Sequence, residues 1–377
     1  MSSIIGAFFV LTLILAMGPA KSYCDSAATK KRKKVIEFGW DAPDTEYLRK
    51  NIAQMEEQPF DGCVFYIKYT QPNGAASIGK EGAFLHEAWG TRAFTRDELK
   101  SAMRDLQLTP FTKFTDNFIR LNVAPGNVDW FDDFSAIVNN IALLGEVAFK
   151  GGAKGIFFDT EYYHFPLFEY EKQKYKERHS FIEYSQQAKK RGLEIMEALQ
   201  SAYPDITIIF SYAYTLPAKR SSYNAEKLKQ NDYALLIPFL DGMLEGAKGK
   251  TKLIDGYEFS YKFKYKKEFV RAREETKSEI LSFIENKRKY QDHFFTGFGL
   301  WLDTPSGSLP WAPTNLLRNY FSPAEFRRSV SLALEHSDEY VWIYNQKARW
   351  WRHTEETYRM PTDYALAIRA AKNEEQQ

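Results

Sequence analysis

Short apolar runs recur along this chain, and each is followed by a longer stretch with helical spacing of its apolar residues. The runs fall at residues 35–39, 62–67, 117–123, 156–158, 206–210, 253–259, 294–302 and 340–344. Helical patterns occupy 44–57, 95–106, 129–149, 170–203, 234–244, 266–290 and 322–335, and a tail helix at 363–371 closes the series. Strands that alternate with helices imply parallel strands joined by helical crossovers. Eight such units predict a single-domain (β/α)8 TIM barrel over residues 35–377. The glycine fingerprint G-x-G-x-x-G of an open dinucleotide-binding sheet is absent after the first strand. Local signals support the helix starts. Thr95 and Glu98 have capping-box spacing, and Ser322-Pro323 with Glu325 supply a cap, an N1 proline and an N3 acid.

A net charge of +2, with basic and acidic residues interspersed as at 262–289, predicts no nucleic-acid partner. Residues 4–17 form an apolar run shorter than the roughly 20 residues of a membrane span. Gly18, Ala20 and Ser22 follow it, the pattern of a signal peptide over 1–22. A basic linker at 23–34 would then lead into the barrel. A secreted or extracytoplasmic location is expected, with membrane attachment only if the leader stays uncleaved. Cys24 and Cys63 are expected not to pair.

In a barrel of this kind the C-terminal strand ends converge on one face, where chemistry is placed. The run 156–158 stops at Asp159-Thr160-Glu161. Alternation along a strand points both acids the same way. The other strand ends offer Glu258 and Asp303 as further candidate catalytic acids. Trp40, Asp41, Tyr66, Asn122, Tyr212, Tyr214, Trp301 and Asn345 are the candidate substrate-binding residues, and Lys68 is a candidate for an anionic substituent. The six histidines are scattered with no H-x-H or H-E-x-x-H spacing, so neither metal nor cofactor is expected. No G-x-S-x-G elbow occurs either. Carboxylates among aromatic residues suit glycoside hydrolysis: one carboxyl protonates the leaving oxygen and a second group stabilises the cationic transition state. Aromatic residues reach 16 % of the chain, and a flat ring stacks on the apolar face of a sugar. Trp89 and Trp350-Trp351 are further candidate platforms. Glu161, the longer side chain, is expected to be the proton donor, with Asp159, Glu258 or Asp303 as its partner.

The segment Gly155-Ile156-Phe157-Phe158-Asp159-Thr160-Glu161-Tyr162 resembles the strand-four signature D-G-x-D-x-D-x-E-Y of family 18 chitinase-like barrels. That resemblance implies Glu161 as the acid and Asp159 as the group that orients a substrate N-acetyl nucleophile. Lys154 and Phe157 stand where the family has aspartates, and Thr160 where it often has tryptophan. Glu161 with Asp303 is similar instead to retaining glycosidase barrels with acids on strands four and seven. Asp159 with Glu258 is similar to α-galactosidase-like barrels. The expected function is a secreted glycoside hydrolase acting on a poly- or oligosaccharide. The alternative is a catalytically inactive carbohydrate-binding barrel at the cell surface, suggested by the two missing aspartates.

Overall fold

The computed structural model describes residues 32–71, 83–303, 310–352 and 358–375. The expected leader, Cys24 and His353 lie outside them. Strands β1 (Lys34–Gly39), β2 (Gly62–Phe65), β3 (Phe118–Asn122), β4 (Gly155–Asp159), β5 (Thr207–Phe210), β6 (Lys252–Asp255), β7 (Phe294–Thr296), β8 (Phe298–Trp301) and β9 (Tyr340–Asn345) form one sheet. Its order is β7-β6-β5-β4-β3-β2-β1-β9-β8, with every pair parallel. β7 pairs with β6 and β8 pairs with β9, and only Gly297 separates β7 from β8. The two ends of the sheet are therefore one continuous stave, and the barrel has eight positions as the alternation predicts.

Helices α1 (Thr45–Met55), α2 (Arg96–Leu108), α3 (Ser135–Lys150), α4 (Phe181–Ala202), α5 (Thr215–Arg220), α6 (Leu236–Gly246), α7 (Lys266–Lys277), α8 (Lys287–His293), α9 (Pro323–His336) and α10 (Thr362–Glu375) cover the strands. The Thr95/Glu98 and Ser322/Glu325 capping boxes are both formed. Several helices depart from the expectation. The stretch 170–203 is helical only from Phe181, and α5 was not anticipated. The stretch 266–290 breaks at Ser278 into α7, a 3-10 turn and α8. α3 starts at Ser135 because Asp129 is occupied elsewhere, accepting from Tyr184 Oη at 2.8 Å and the Lys174 N–H at 2.9 Å.

Alternation along the strands divides the core in two. One face of each strand packs outward against the helices in a large cluster. The other face fills the barrel with Ile36, Phe38, Val64, Phe118, Phe157, Ile209, Ile254, Tyr340 and Trp342. Trp342 occupies the centre. A Cβ on Gly299 would lie 2.4 Å from its ring, and its Nε1 donates to the Gly256 carbonyl at 2.8 Å. These residues fill the barrel interior beneath the C-terminal strand ends as a plug. Among the described residues no helix is long and apolar enough to cross a membrane.

Candidate active site

Above the plug a cavity of about 480 Å³ opens at the C-terminal ends of the strands. Its acidic wall is built from β3 to β6. Asp159 is the last residue of β4, on the inward face below which Phe157 lies. Thr160 points the other way, fully buried, with its N–H on Ser211 Oγ at 3.1 Å and its Oγ1 donating to the Tyr212 carbonyl at 2.8 Å. Glu161 therefore returns to the cavity side. Asn122, at the end of β3, donates from Nδ2 to the carbonyls of Asp159 (3.1 Å) and Glu161 (2.8 Å), which pins the chain where the strand stops. Tyr163 continues the alternation, its hydroxyl 2.8 Å from Glu161 Oε2 and 3.1 Å from Asp159 Oδ2.

Arg120 occupies the inward face of β3 and binds Asp159 Oδ2 at 2.7 Å, with its guanidinium 5.0 Å from the Phe38 ring centre. Glu258 reaches the same space from the 3-10 helix Glu258–Lys262 that follows β6. Burial pushes the Glu258 carboxyl well above the usual carboxylate range, and the charges of Glu161 and Asp159 push it further; the Tyr261 hydroxyl bonded to it and Arg120 act against this. Burial and Asp159 also raise Glu161, opposed by the Tyr163 hydroxyl and by Arg120 and Arg220. Two carboxylates in one low-dielectric space cannot both ionise cheaply, so these shifts belong to the pair.

The facing wall is aromatic and comes from β1, β8 and β9, and Tyr261 on the 3-10 helix after β6 joins it to Glu258. Tyr261 stacks on Tyr344 at 5.6 Å, and Trp301 meets both edge-on at 5.4 and 5.1 Å. Trp40, more than half exposed at the rim, donates from Nε1 to Tyr344 Oη at 2.6 Å. Phe38, Gly39, His86 and Ser211 complete the lining.

The structure thus brings together Asp159, Glu161, Glu258, Trp40 and Trp301 from the expected set. Tyr212 stands behind them, half-buried, raised by burial and by the charges of Glu258 and Glu161. Asn122 is a brace, fully buried rather than open to a ligand. Other expectations need correction. Asp303 does not line the cavity: its carboxylate accepts from Trp301 Nε1 at 2.8 Å and from the N–H groups of Gln346, Lys347 and Ala348, holding the loop after β9. Asp41 is buried beneath that loop, accepting from Asn345 Nδ2 at 2.9 Å and the Trp350 N–H at 2.7 Å. Asn345 is consequently a strut too. Tyr214 is in the outer core, with its hydroxyl on Asp241 at 2.9 Å. Tyr66 packs among Ala42, Ala83 and Leu85. Trp89, Trp350 and Trp351 are buried packing residues, and Lys68 is paired with Asp44 at 2.8 Å.

Arg120, Tyr163, Tyr261 and Tyr344 were missed. Arg120 had a signal, a lone charge on the same face as Phe118 in an apolar strand. Tyr163 and Tyr344 were reachable by counting in twos from Glu161 and Trp342. Tyr261 had none, because a strand was expected through residue 259. Among the described residues no group of three or more His, Cys, Asp or Glu is placed to hold a metal ion.

No family model and no curated protein sequence matches the chain. Solved structures similar in chain path include a family 5 xyloglucanase from Paenibacillus pabuli, with a TM-score of 0.47 at 9% identity, covering 93% of this chain and 99% of that one. An endocellulase from Pyrococcus horikoshii gives 0.46 at 8%, covering 90% and 92%. The β-mannanase of the blue mussel Mytilus edulis gives 0.45 at 8%, covering 91% and 92%. At these values the fold assignment rests on the strand pairing itself.

Proposed function

We propose that this chain is a glycoside hydrolase acting on a poly- or oligosaccharide, with Glu258 as proton donor and Glu161 as the opposing carboxylate. The observation that carries the reading is the two-walled cavity. A sugar ring stacked on Trp301 and Tyr344 would present its anomeric carbon to the acids on the facing wall. Burial and the neighbouring acids raise both glutamates, so the pair shares a proton, and this reading places it on Glu258, beside the Tyr261 hydroxyl and away from the Arg120–Asp159 ion pair. Glu161 keeps its charge, supported by the Tyr163 hydroxyl, Arg120 and Arg220. This reverses the expectation that Glu161 is the donor. Asp159, ion-paired with Arg120, is the fixed negative charge that faces an oxocarbenium-like centre. The family 18 pattern fits less well, since Phe157 fills the barrel core where an acidic relay would stand and Arg120 supplies the neighbouring charge instead. The signal-peptide pattern of residues 1–22 supports secretion as part of the same reading.

Reducing-sugar release from a panel of soluble polysaccharides tests the activity. Glu258→Gln is expected to lose about 10²- to 10⁴-fold, the usual worth of a positioned general acid. That loss should shrink on aryl glycosides whose leaving group needs no proton, whereas Glu161→Gln stays impaired on both. Undiminished hydrolysis by Glu258→Gln would remove the assignment. The second reading is a carbohydrate-binding barrel without turnover, favoured by Phe157 in place of an aspartate. Equal glycan binding by wild type and Glu161→Gln, with no release of sugar by either, would establish it.

A further inference from the structure

We propose that Tyr257 is the positioning residue for Glu258: its left-handed backbone, locked from outside the barrel by Glu275 and Lys219, turns the chain so that Glu258 and Tyr261 face the cavity together. The inference rests on the reading of Glu258 as the acid.

β6 ends at Asp255, and the chain must leave the strand and fold back over the barrel mouth. It does so at Tyr257, whose φ is 47°. A bulky aromatic residue rarely adopts this conformation, since Cβ crowds the following carbonyl, and such residues persist only where their surroundings over-determine them. The surroundings here are specific. The Tyr257 N–H donates to Asp255 Oδ1 at 2.9 Å, and its carbonyl accepts from Ser260 Oγ at 2.6 Å. The Gly299 N–H in turn donates to Ser260 Oγ at 3.0 Å, tying the turn to β8. The ring is 1 % exposed, against Phe259, Phe263 and Phe298 at 5.8–6.2 Å. The hydroxyl donates to the Glu275 carboxylate on α7 and accepts from Lys219 Nζ on α5 at 3.1 Å. Lys219 and Glu275 are themselves paired at 2.7 Å.

The consequence lies one residue on. A 3-10 helix begins at Glu258, and in a 3-10 helix residues i and i+3 eclipse. Glu258 and Tyr261 therefore share a face, and both line the cavity. None of Tyr257, Glu275 and Lys219 lines it. The device is an anchor on the helix layer that aims an acid on the other side of the sheet.

The test reads Glu258 directly. In protein with ¹³C-labelled glutamate side chains, its carboxyl resonance is assigned by its loss in Glu258→Gln and titrated. Around it are Glu161 and Asp159 from β4 and its loop, Arg120 from β3, Tyr261 from its own turn, Tyr212 from the β5 loop and His86 from the loop after β2. In Tyr257→Phe, which keeps the ring and loses the anchor, the midpoint is expected to fall by about one pH unit as the carboxyl swings toward solvent. Tyr257→Gly is the second variant. Glycine accepts the left-handed conformation without strain but provides no ring, and it should show the same shift. In both, kcat should fall about 10- to 100-fold with KM nearly unchanged, the mark of a misplaced catalytic group. A wild-type Glu258 titration in both folded variants would overturn the proposal. If wild type hydrolyses no glycan yet its Glu258 midpoint depends on Tyr257, the enzymatic reading fails and the positioning role stands.

Discussion

At the scale of single residues, the site turns on Arg120. It is the cation nearest three acids, and it opposes the upward shifts of both Glu161 and Glu258. Replacing it with methionine keeps much of the volume and removes the charge. Both glutamates should then hold their protons to higher pH, so both limbs of the bell-shaped profile of kcat/KM are expected to move toward alkaline values. An unmoved or acid-shifted profile would sink this account of the site's electrostatics. Loss of the ion pair also leaves Asp159 buried and uncompensated, at a cost on the order of 3–5 kcal/mol. Urea denaturation of the variant checks that figure. Legibility at this scale followed parity. Asp159 and Glu161 could be read because side chains alternate about Thr160. Asn345 was a candidate because it follows the apolar run 340–344, yet it is Tyr344 that shares the inward face of Trp342. Asp303 and Asp41 look like catalytic acids in a sequence, since a carboxylate that clamps a loop through backbone N–H groups leaves no spacing signal.

At the scale of elements, the strands and most helices could be read, and the exceptions have a common cause. β6 was expected to run through residue 259 but stops at Asp255, where the left-handed turn at Tyr257 takes over. Nothing local marks that turn; contacts from α5 and α7 impose it on a residue that favours strands. Likewise β7 and β8 read as one strand, and they are one stave, interrupted at Gly297, whose Cβ would lie 3.1 Å from Ile254 Cγ2 and from the Tyr340 carbonyl, while Gly299 in β8 makes room for Trp342. Gly299 is the stricter of the two. Its Cβ would meet the Trp342 ring at 2.4 Å, a ring held on every side by Phe38, Phe157 and Tyr261. Gly299→Ala is therefore expected to lose about 1–3 kcal/mol in urea denaturation, the range for overpacking a filled core. Its tryptophan emission should change as well, because Trp342 must shift. Full stability with unaltered emission would show that the plug is softer than its packing indicates.

For the whole molecule, alternation alone specified eight staves, but not that the buried acids would couple stability to pH between about 4 and 7. Burial raises Asp255 to about 6 and Asp241 to about 7, and it raises Asp41, Glu161 and Glu258 as well. An acid with a folded-state pKa above its unfolded value binds more protons in the native state between the two. Stability is then fully present below the unfolded pKa and falls as pH rises through the folded one. The relevant window runs from the ordinary carboxylate range near pH 4 up to about 7, the value reached by Asp241. At the acid end the opposite group acts. Asp44, Asp116 and Asp338 are held low by hydrogen bonds and ion pairs despite their burial, and their contribution is lost as pH falls below the carboxylate range. Melting temperature should accordingly be higher near pH 5 than near pH 8. Asp255 is a probe of this effect: it is fully buried, on the outward face of β6, and outside the cavity. Its shift corresponds to about 3 kcal/mol across the window. Asp255→Asn, which can still pair with Thr215 and the Tyr257 N–H, is expected to narrow the difference in stability between pH 5 and pH 8 by about 1–2 kcal/mol, the part of that shift lying above pH 5. Glu258→Gln should narrow it in the same direction, since the environment that keeps the acid protonated also penalises its charge. If neither substitution changes the difference, these carboxyls are better solvated than their burial implies, and the protonated Glu258 on which the proposed chemistry depends loses its physical basis.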